Sequence, residues 1–245
     1  MIRIMILLLV CLVALLLAAA AWQRQLLYFP THHADSNGLS EWRHDGGLIG
    51  YAREVAAPKN VWLLMHGNAG QASDRVYALS SFSKEDAVFI LEYPGYGARR
   101  GTPSRHSFDA AARQGYRDLR ARFPKTPVCV AGESIGSGAA CVLAMEPVPP
   151  EKIVLVVPFD TLLRVAVHHF PYLPVRIFLA DNWDNTASLK AYPGRVEIFA
   201  AKDDDIIPPA HAKALADSKP GAVFHVIEGG HNDWSTRGTV AIRNP

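Results

Sequence analysis

Val128-Cys129-Val130-Ala131-Gly132-Glu133-Ser134-Ile135-Gly136-Ser137-Gly138 decides how this chain is read. An apolar strand runs into Gly-x-Ser-x-Gly and then into a helix of small residues. This is the grammar of a nucleophile elbow, a turn so sharp that only glycine tolerates the crowding on either side of the serine. Such a turn lifts Ser134 Oγ out of the sheet and leaves the Ile135 backbone N–H free to stabilise an oxyanion. The pentapeptide alone is a weak signal. Its place between a strand and a helix strengthens it.

The same grammar continues on both sides. Residues 61–65, 87–91, 153–157, 196–200 and 222–227 are apolar runs of strand length, and 73–85 and 107–123 read as helices. Continuous rather than alternating apolar strands, separated by helices, predict a mainly parallel sheet covered on both faces. Residues 40–55 read as a hairpin turning at Asp45-Gly46-Gly47. Residues 158–189 interrupt the alternation with Phe159, Leu162, Leu163, Phe170, Phe178 and Trp183, broken by Pro171 and Pro174. We read them as two or three short helices forming a small cap, with Leu162 and Phe178 as candidate substrate-binding residues. The alternative is that these side chains only pack the cap onto the sheet.

Reactive groups in an open α/β sheet gather at the carboxyl ends of the strands. Four polar loops fall there: Ser134, Lys202-Asp203-Asp204-Asp205, Gly229-Gly230-His231-Asn232-Asp233 and His66-Gly67-Asn68. Ser134 is a poor nucleophile until a base takes its proton, which His231 can do near neutral pH and later return to the leaving group. A carboxylate must hold the imidazole in the right tautomer, a role given to Asp204. Asp203 is the competing choice, and three adjacent aspartates could also be a solvated turn, a complement to a helix N-terminus or a cation site. The N–H groups of Asn68 and Ile135 are the expected oxyanion donors. His66 shapes that turn and is not the base.

Composition narrows the field further. With 245 residues, 49% of them hydrophobic, the chain fits one large α/β domain. A net charge of +2 names no partner, and no basic run with interleaved aromatics supports nucleic-acid binding. Cys11, Cys129 and Cys141 lack metal-ligand spacing, and His32-His33 and His168-His169 lack a third ligand, so no metal or cofactor is implied. Residues 4–21 form an uninterrupted apolar run, and a bilayer span needs about 18 such residues. Residues 1–25 are therefore expected to be an N-terminal membrane anchor, with 26–245 as the folded domain on the extracytoplasmic side and 158–189 as its cap insertion; the alternative is a cleaved signal peptide and a secreted or periplasmic protein.

In combination, several stretches carry a resemblance. They are Leu27-Tyr28-Phe29-Pro30, Leu64-Met65-His66-Gly67-Asn68-Ala69-Gly70, Glu92-Tyr93-Pro94-Gly95-Tyr96-Gly97, Gly132-Glu133-Ser134-Ile135-Gly136, Asp204-Asp205-Ile206-Ile207-Pro208 and Gly229-Gly230-His231-Asn232-Asp233. With these the chain resembles the serine α/β-hydrolases, in particular the small membrane-anchored branch related to serine aminopeptidases and protein depalmitoylases. The resemblance implies an α/β-hydrolase fold of the eight-stranded type, with Asp204 as the triad acid. It departs from the family at Ala98-Arg99-Arg100, where a serine is usual, and in the short stretch after His231. The expected activity is a serine hydrolase cleaving an ester or thioester of an acyl or lipid-like substrate through an acyl-serine. The alternatives are an aminopeptidase-like amidase and a non-catalytic, membrane-tethered binding module.

Overall fold

Apolar runs that cannot be left in water become the strands of one sheet, and the polar loops between them end up at its edges. The computed structural model describes residues 2–236 and 240–243. In chain order the elements are α1 (Ile2–Leu27), β1 (Phe29–Pro30), β2 (Ser40–His44), β3 (Gly47–Arg53), β4 (Val61–Met65) and β5 (Ala69–Gly70). A 3-10 stretch (Ala72–Ser81), β6 (Ala87–Leu91), α2 (Arg105–Arg122), β7 (Val128–Glu133), α3 (Gly136–Val142) and a short 3-10 turn (Leu143–Met145) follow. The chain continues through β8 (Lys152–Val156), α4 (Leu162–His169), α5 (Val175–Phe178), α6 (Asn185–Leu189), β9 (Arg195–Ala201), α7 (Pro209–Ser218) and β10 (Val223–Ile227).

Eight of these strands form one sheet in the order β10-β9-β8-β7-β4-β6-β3-β2. All neighbours are parallel except the hairpin β2–β3 and its junction with β6. The expected mainly parallel, eight-stranded α/β-hydrolase sheet is what forms. The hairpin turns at Asp45 and Gly46, both at positive φ, as a two-residue loop matched to strand twist requires.

The core explains why the strands are apolar on both faces. Leu63, Met65, Phe89, Leu91 and Val130 pack with Phe108, Tyr116 and Leu119 of α2 and Ala139 of α3 on one side. Trp62, Leu64, Val88, Ile90 and Ala131 pack with Phe82 and Trp234 on the other. Ser104 starts α2 by accepting the Ser107 N–H, while the Ser107 hydroxyl accepts from the Ser104 N–H.

Three local expectations change. Residues 73–85 do not form an α-helix: the 3-10 stretch ends at Ser81, with Arg75 outside helical geometry. Serines and Asp74 there compete for backbone groups, which favours short turns over a regular helix. α7 and the two-residue parallel pair β1–β5 were not anticipated. Residues 158–189 hold α4, α5 and α6, the three short helices of the expected cap.

The N-terminal run folds as the helix α1, yet among the described residues no helix is long and apolar enough to cross a membrane. The membrane anchor expected of residues 1–25 therefore gains no support from the fold. What the structure adds is a firm attachment at the end of α1. Arg24 Nε and the Tyr28 hydroxyl both donate to the buried Asp181 carboxylate, at 2.9 and 3.1 Å. Gln23 brackets the cap by donating to the Phe178 carbonyl and accepting from the Ala180 N–H.

Candidate active site

Strand β7 delivers Ser134 at its carboxyl end, and the turn into α3 is as tight as the sequence requires. Ser134 sits at φ 53°, a left-handed conformation uncommon outside glycine. The flanking glycines serve close approach. A Cβ on Gly132 would lie 2.7 Å from the Gly136 carbonyl oxygen, and one on Gly136 would fall on the carbonyl oxygens of Met65 and His66. Gly-x-Ser-x-Gly is thus a packing solution: the glycines let strand, turn and β4 touch while the serine takes the strain.

His231 follows the edge strand β10, and Asp204 follows its neighbour β9. Ser134 Oγ lies 2.8 Å from His231 Nε2, and His231 Nδ1 lies 2.7 Å from Asp204 Oδ2. All three residues are buried. The other Asp204 oxygen accepts the Ile206 and Ile207 N–H groups at 3.0 and 2.7 Å, which fixes the orientation of the carboxylate. Asp203 and Asp205 are exposed, and neither bonds His231. Of the three adjacent aspartates only Asp204 meets the imidazole.

Asn68 and Ile135, the two expected oxyanion donors, line the same cavity as Ser134 and His231. Ile135 immediately precedes α3, where the first N–H groups of a helix lack intrahelical acceptors. Asn68 is locked by its own side chain, which donates to the Leu27 carbonyl at 2.7 Å, and by its carbonyl, which accepts from the Phe29 N–H and the Tyr96 hydroxyl. β1 therefore acts as a strap across the oxyanion turn. His66 is fully buried against Tyr93 and turns away from Ser134.

Sequence reasoning gave Glu133 no role, because one residue of the pentapeptide is nominally free. Its buried carboxylate accepts the Gly67 N–H and the Trp234 indole N–H, each at 3.2 Å, and the Tyr77 hydroxyl. One side chain thereby ties the elbow to the oxyanion turn and to the loop that carries His231. Burial, and then the Glu133 charge, push the Tyr77 hydroxyl well above its ordinary pKa, so it remains a donor.

A cavity of about 520 Å³ opens on Ser134, lined by Leu26, Leu27, Phe159, Leu162, Val165, Phe170, Ile206 and Ile207, with Arg75, Glu133 and His231 among the polar groups. Leu162 is where the sequence put it. Phe178 is not: it does not line the cavity, and α5 instead presents its backbone to α1. Leu26 and Leu27 could not have been foreseen, since only the tertiary fold brings the end of α1 beside the cap. Arg99 is half-buried and donates to the Glu92 carbonyl and to Gln114, so it is a structural cation and not part of the cavity mouth. The paired histidines have ordinary partners: His33 contacts Asp74, His32 the Gly97 carbonyl and His169 the Ile206 carbonyl. The three cysteines are free, and among the described residues no group of three or more His, Cys, Asp or Glu side chains is placed to hold a metal ion.

Fold and site together define the serine α/β-hydrolase superfamily, and the chain belongs to it. It is 31% identical over 228 residues to a Mycobacterium tuberculosis (strain ATCC 25618 / H37Rv) protein named Uncharacterized protein Rv2307c, covering 86% of this chain and 81% of that protein. It is 29% identical over 182 residues to human alpha/beta hydrolase domain-containing protein 17B, covering 71% of this chain and 61% of the relative. It is 26% identical over 191 residues to the mouse lysophosphatidylserine lipase ABHD12, covering 68% of this chain and 48% of the relative. No family model matches. Among solved structures, the Pyrococcus furiosus esterase PF2001 aligns at TM-score 0.64 and 12% identity, over 86% of this chain and 91% of that one. The thioesterase domain from the curacin biosynthetic pathway aligns at TM-score 0.59 and 14% identity, over 80% and 93%.

Proposed function

We propose that this protein is a serine esterase or thioesterase acting on a small-molecule or lipid-like acyl substrate. The observation that carries the reading is the unbroken hydrogen-bonded row Ser134–His231–Asp204, at 2.8 and 2.7 Å, opening onto a mainly apolar cavity. In this mechanism Ser134 Oγ attacks the acyl carbon while its proton passes to His231 Nε2. Asp204 holds Nδ1–H and stabilises the imidazolium. The carbonyl oxygen, now an anion, is received by the Ile135 and Asn68 N–H groups; loss of one such donor typically costs about 2.7–4 kcal/mol of barrier. His231 then gives its proton to the leaving oxygen or sulfur as the acyl–heteroatom bond breaks, leaving an acyl-serine. Water, deprotonated by His231, attacks that acyl carbon, and Ser134 takes back the proton as the acid leaves.

The names of relatives that include a lipase and an esterase fit this reading, as does the wall of Leu26, Leu27, Leu162, Val165 and Phe170, each buried methylene being worth about 0.8 kcal/mol. For location we propose attachment to a membrane through α1, on the support of its exposed apolar side chains such as Ile4, Ile6, Leu7 and Val10. Labelling of Ser134 by a fluorophosphonate, and hydrolysis of p-nitrophenyl acyl esters in preference to aminoacyl anilides, tests the chemistry. An unlabelled, folded protein would leave a binding module, and a preference for anilides would leave an amidase.

A further inference from the structure

A second cavity of about 370 Å³ lies between α4, α5 and the start of α7, and basic side chains dominate its lining: Arg164, His168, Arg176 and His211. We infer that this cavity binds a phosphate group, free or carried on a lipid headgroup.

Arg164, His168 and Arg176 are exposed around the cavity, and His211 is buried in its wall. His211 is buried, and its ring is oriented by Nδ1 lying 2.8 Å from Asp160 Oδ1, which leaves Nε2 as the ring nitrogen without a hydrogen-bond partner among the described residues. Arg164 of α4, four residues after Asp160 in the chain, pairs with the other oxygen of the same carboxylate and is thereby held at the rim. Burial acts to raise the Asp160 pKa, but the hydrogen bonds from His211 and the Thr161 N–H and the charge of Arg164 outweigh it, so the group stays ionised. Asp160 therefore cancels one positive charge. Arg176 makes no ion pair among the described residues and is left with its charge unanswered. Guanidinium forks match the oxygens of a phosphate in a way that a single carboxylate cannot fully use. Ala210, in the first turn of α7, adds the positive end of a ten-residue helix to the same wall.

The site shares no lining residue with the Ser134 cavity, yet the two are back to back. The other face of α4 gives Leu162 and Val165 to the active-site cavity, and Pro208 directly follows the Ile206–Ile207 N–H pair that holds Asp204. Tyr172, Leu173 and Ile177, in the segment that leads into and through α5, are exposed apolar side chains near Arg176 in the chain, a setting that suits a phosphate presented at a lipid surface.

The test uses the full chain, with Ser134→Ala as the background so that turnover does not intrude. Calorimetric titration with inorganic phosphate, with acetate as the comparison anion, reads the site directly. Sedimentation with phosphatidic acid vesicles, against phosphatidylcholine vesicles, reads a headgroup. Expected are phosphate binding at least about tenfold tighter than acetate, and a loss of about tenfold or more in Arg176→Gln/His168→Gln, equivalent to about 1.4 kcal/mol. Lys213→Gln, which removes a surface charge from α7 outside the cavity, should bind as the parent does. Loss in the double variant of both phosphate binding and the excess binding to phosphatidic acid over phosphatidylcholine vesicles assigns a lipid headgroup; loss of phosphate binding alone, with that excess kept or absent from the start, assigns the free anion. Absence of binding to either probe, or equal binding by the double variant and Lys213→Gln, overturns the inference. Equal phosphate binding with and without Ser134→Ala is expected, because the site stands apart from the chemistry at Ser134.

Discussion

Ser134 and Glu133 are adjacent, yet they do opposite work: one holds a strained backbone and the reactive oxygen, the other holds the loops around it still. Ser134→Ala should abolish both fluorophosphonate labelling and ester turnover in a folded protein, and His231→Ala added to it should cost little more, because the residues act as a unit. Asp204→Asn should lower kcat by as much as about 10⁴-fold through the wrong imidazole tautomer, while Asp203→Asn and Asp205→Asn stay near the parent. A comparable loss in Asp203→Asn, measured with the same ester, would refute the assignment drawn from the 2.7 Å contact. Glu133→Ala should reduce kcat while leaving labelling detectable, since Gly67 and Trp234 lose a shared anchor and no reacting atom is removed. Gly136→Ala presses a methyl onto two carbonyl oxygens; overpacking of this kind costs about 1–3 kcal/mol, read as a lower Tm.

At the scale of elements, the cap and the end of α1 share the wall of the active-site cavity. If that wall is an acyl site, catalytic efficiency should rise from acetyl to medium-chain esters, and Leu162→Asp should flatten the rise. Phe178→Asp should leave the profile unchanged, since α5 does not reach the cavity. Helix α2 is tied to the turn after α3 by Glu146, which accepts from Arg113 and from Arg117 Nε, the latter at 3.0 Å. Burial works to raise the Glu146 pKa, but the two guanidinium groups outweigh it and the net shift is downward. A group with a depressed folded pKa stabilises the fold above its unfolded value, about 4.3 for glutamate, and loses that contribution as pH falls through the folded value. Glu146→Gln should therefore lower Tm at pH 7, with the gap to the parent closing on acidification below about pH 4. A gap that persists in acid would mean the side chain acts through packing alone.

Across the whole molecule, the two buried cysteines report on integrity. Burial pushes the Cys129 thiol up to about 12 and Cys141 higher still, so neither forms a thiolate at neutral pH. Iodoacetamide should leave both unmodified in the native protein and alkylate both in guanidinium, followed by mass spectrometry; native-state reaction at either would contradict the packing of β7 and α3 against the sheet. The exposed apolar side chains of α1 carry a second expectation. Removing residues 2–21 should release the chain from a membrane fraction while the folded domain persists, because the ties of α1 to Asp181 and Phe178 run through Gln23, Arg24 and Tyr28.

The sequence by itself determined the sheet and where its polar loops fall. Continuous apolar runs such as 61–65, 87–91 and 153–157 specify buried parallel strands, and glycines flanking a serine specify a tight elbow, because these are local demands on burial and backbone sterics. The chain order Ser134, Asp204, His231 placed three groups at strand ends, and a parallel sheet must carry all such ends to one edge. Only the tertiary structure decided what depends on distant segments meeting. It singled out Asp204 by burying it beside His231, made Glu133 the link between three loops, and put Leu26 and Leu27 into the cavity while turning Phe178 away. It also drew the cations of α4, α5 and α7 around one space. None of these follows from periodicity, since each is set by how separate elements pack, and packing is a property of the assembled fold.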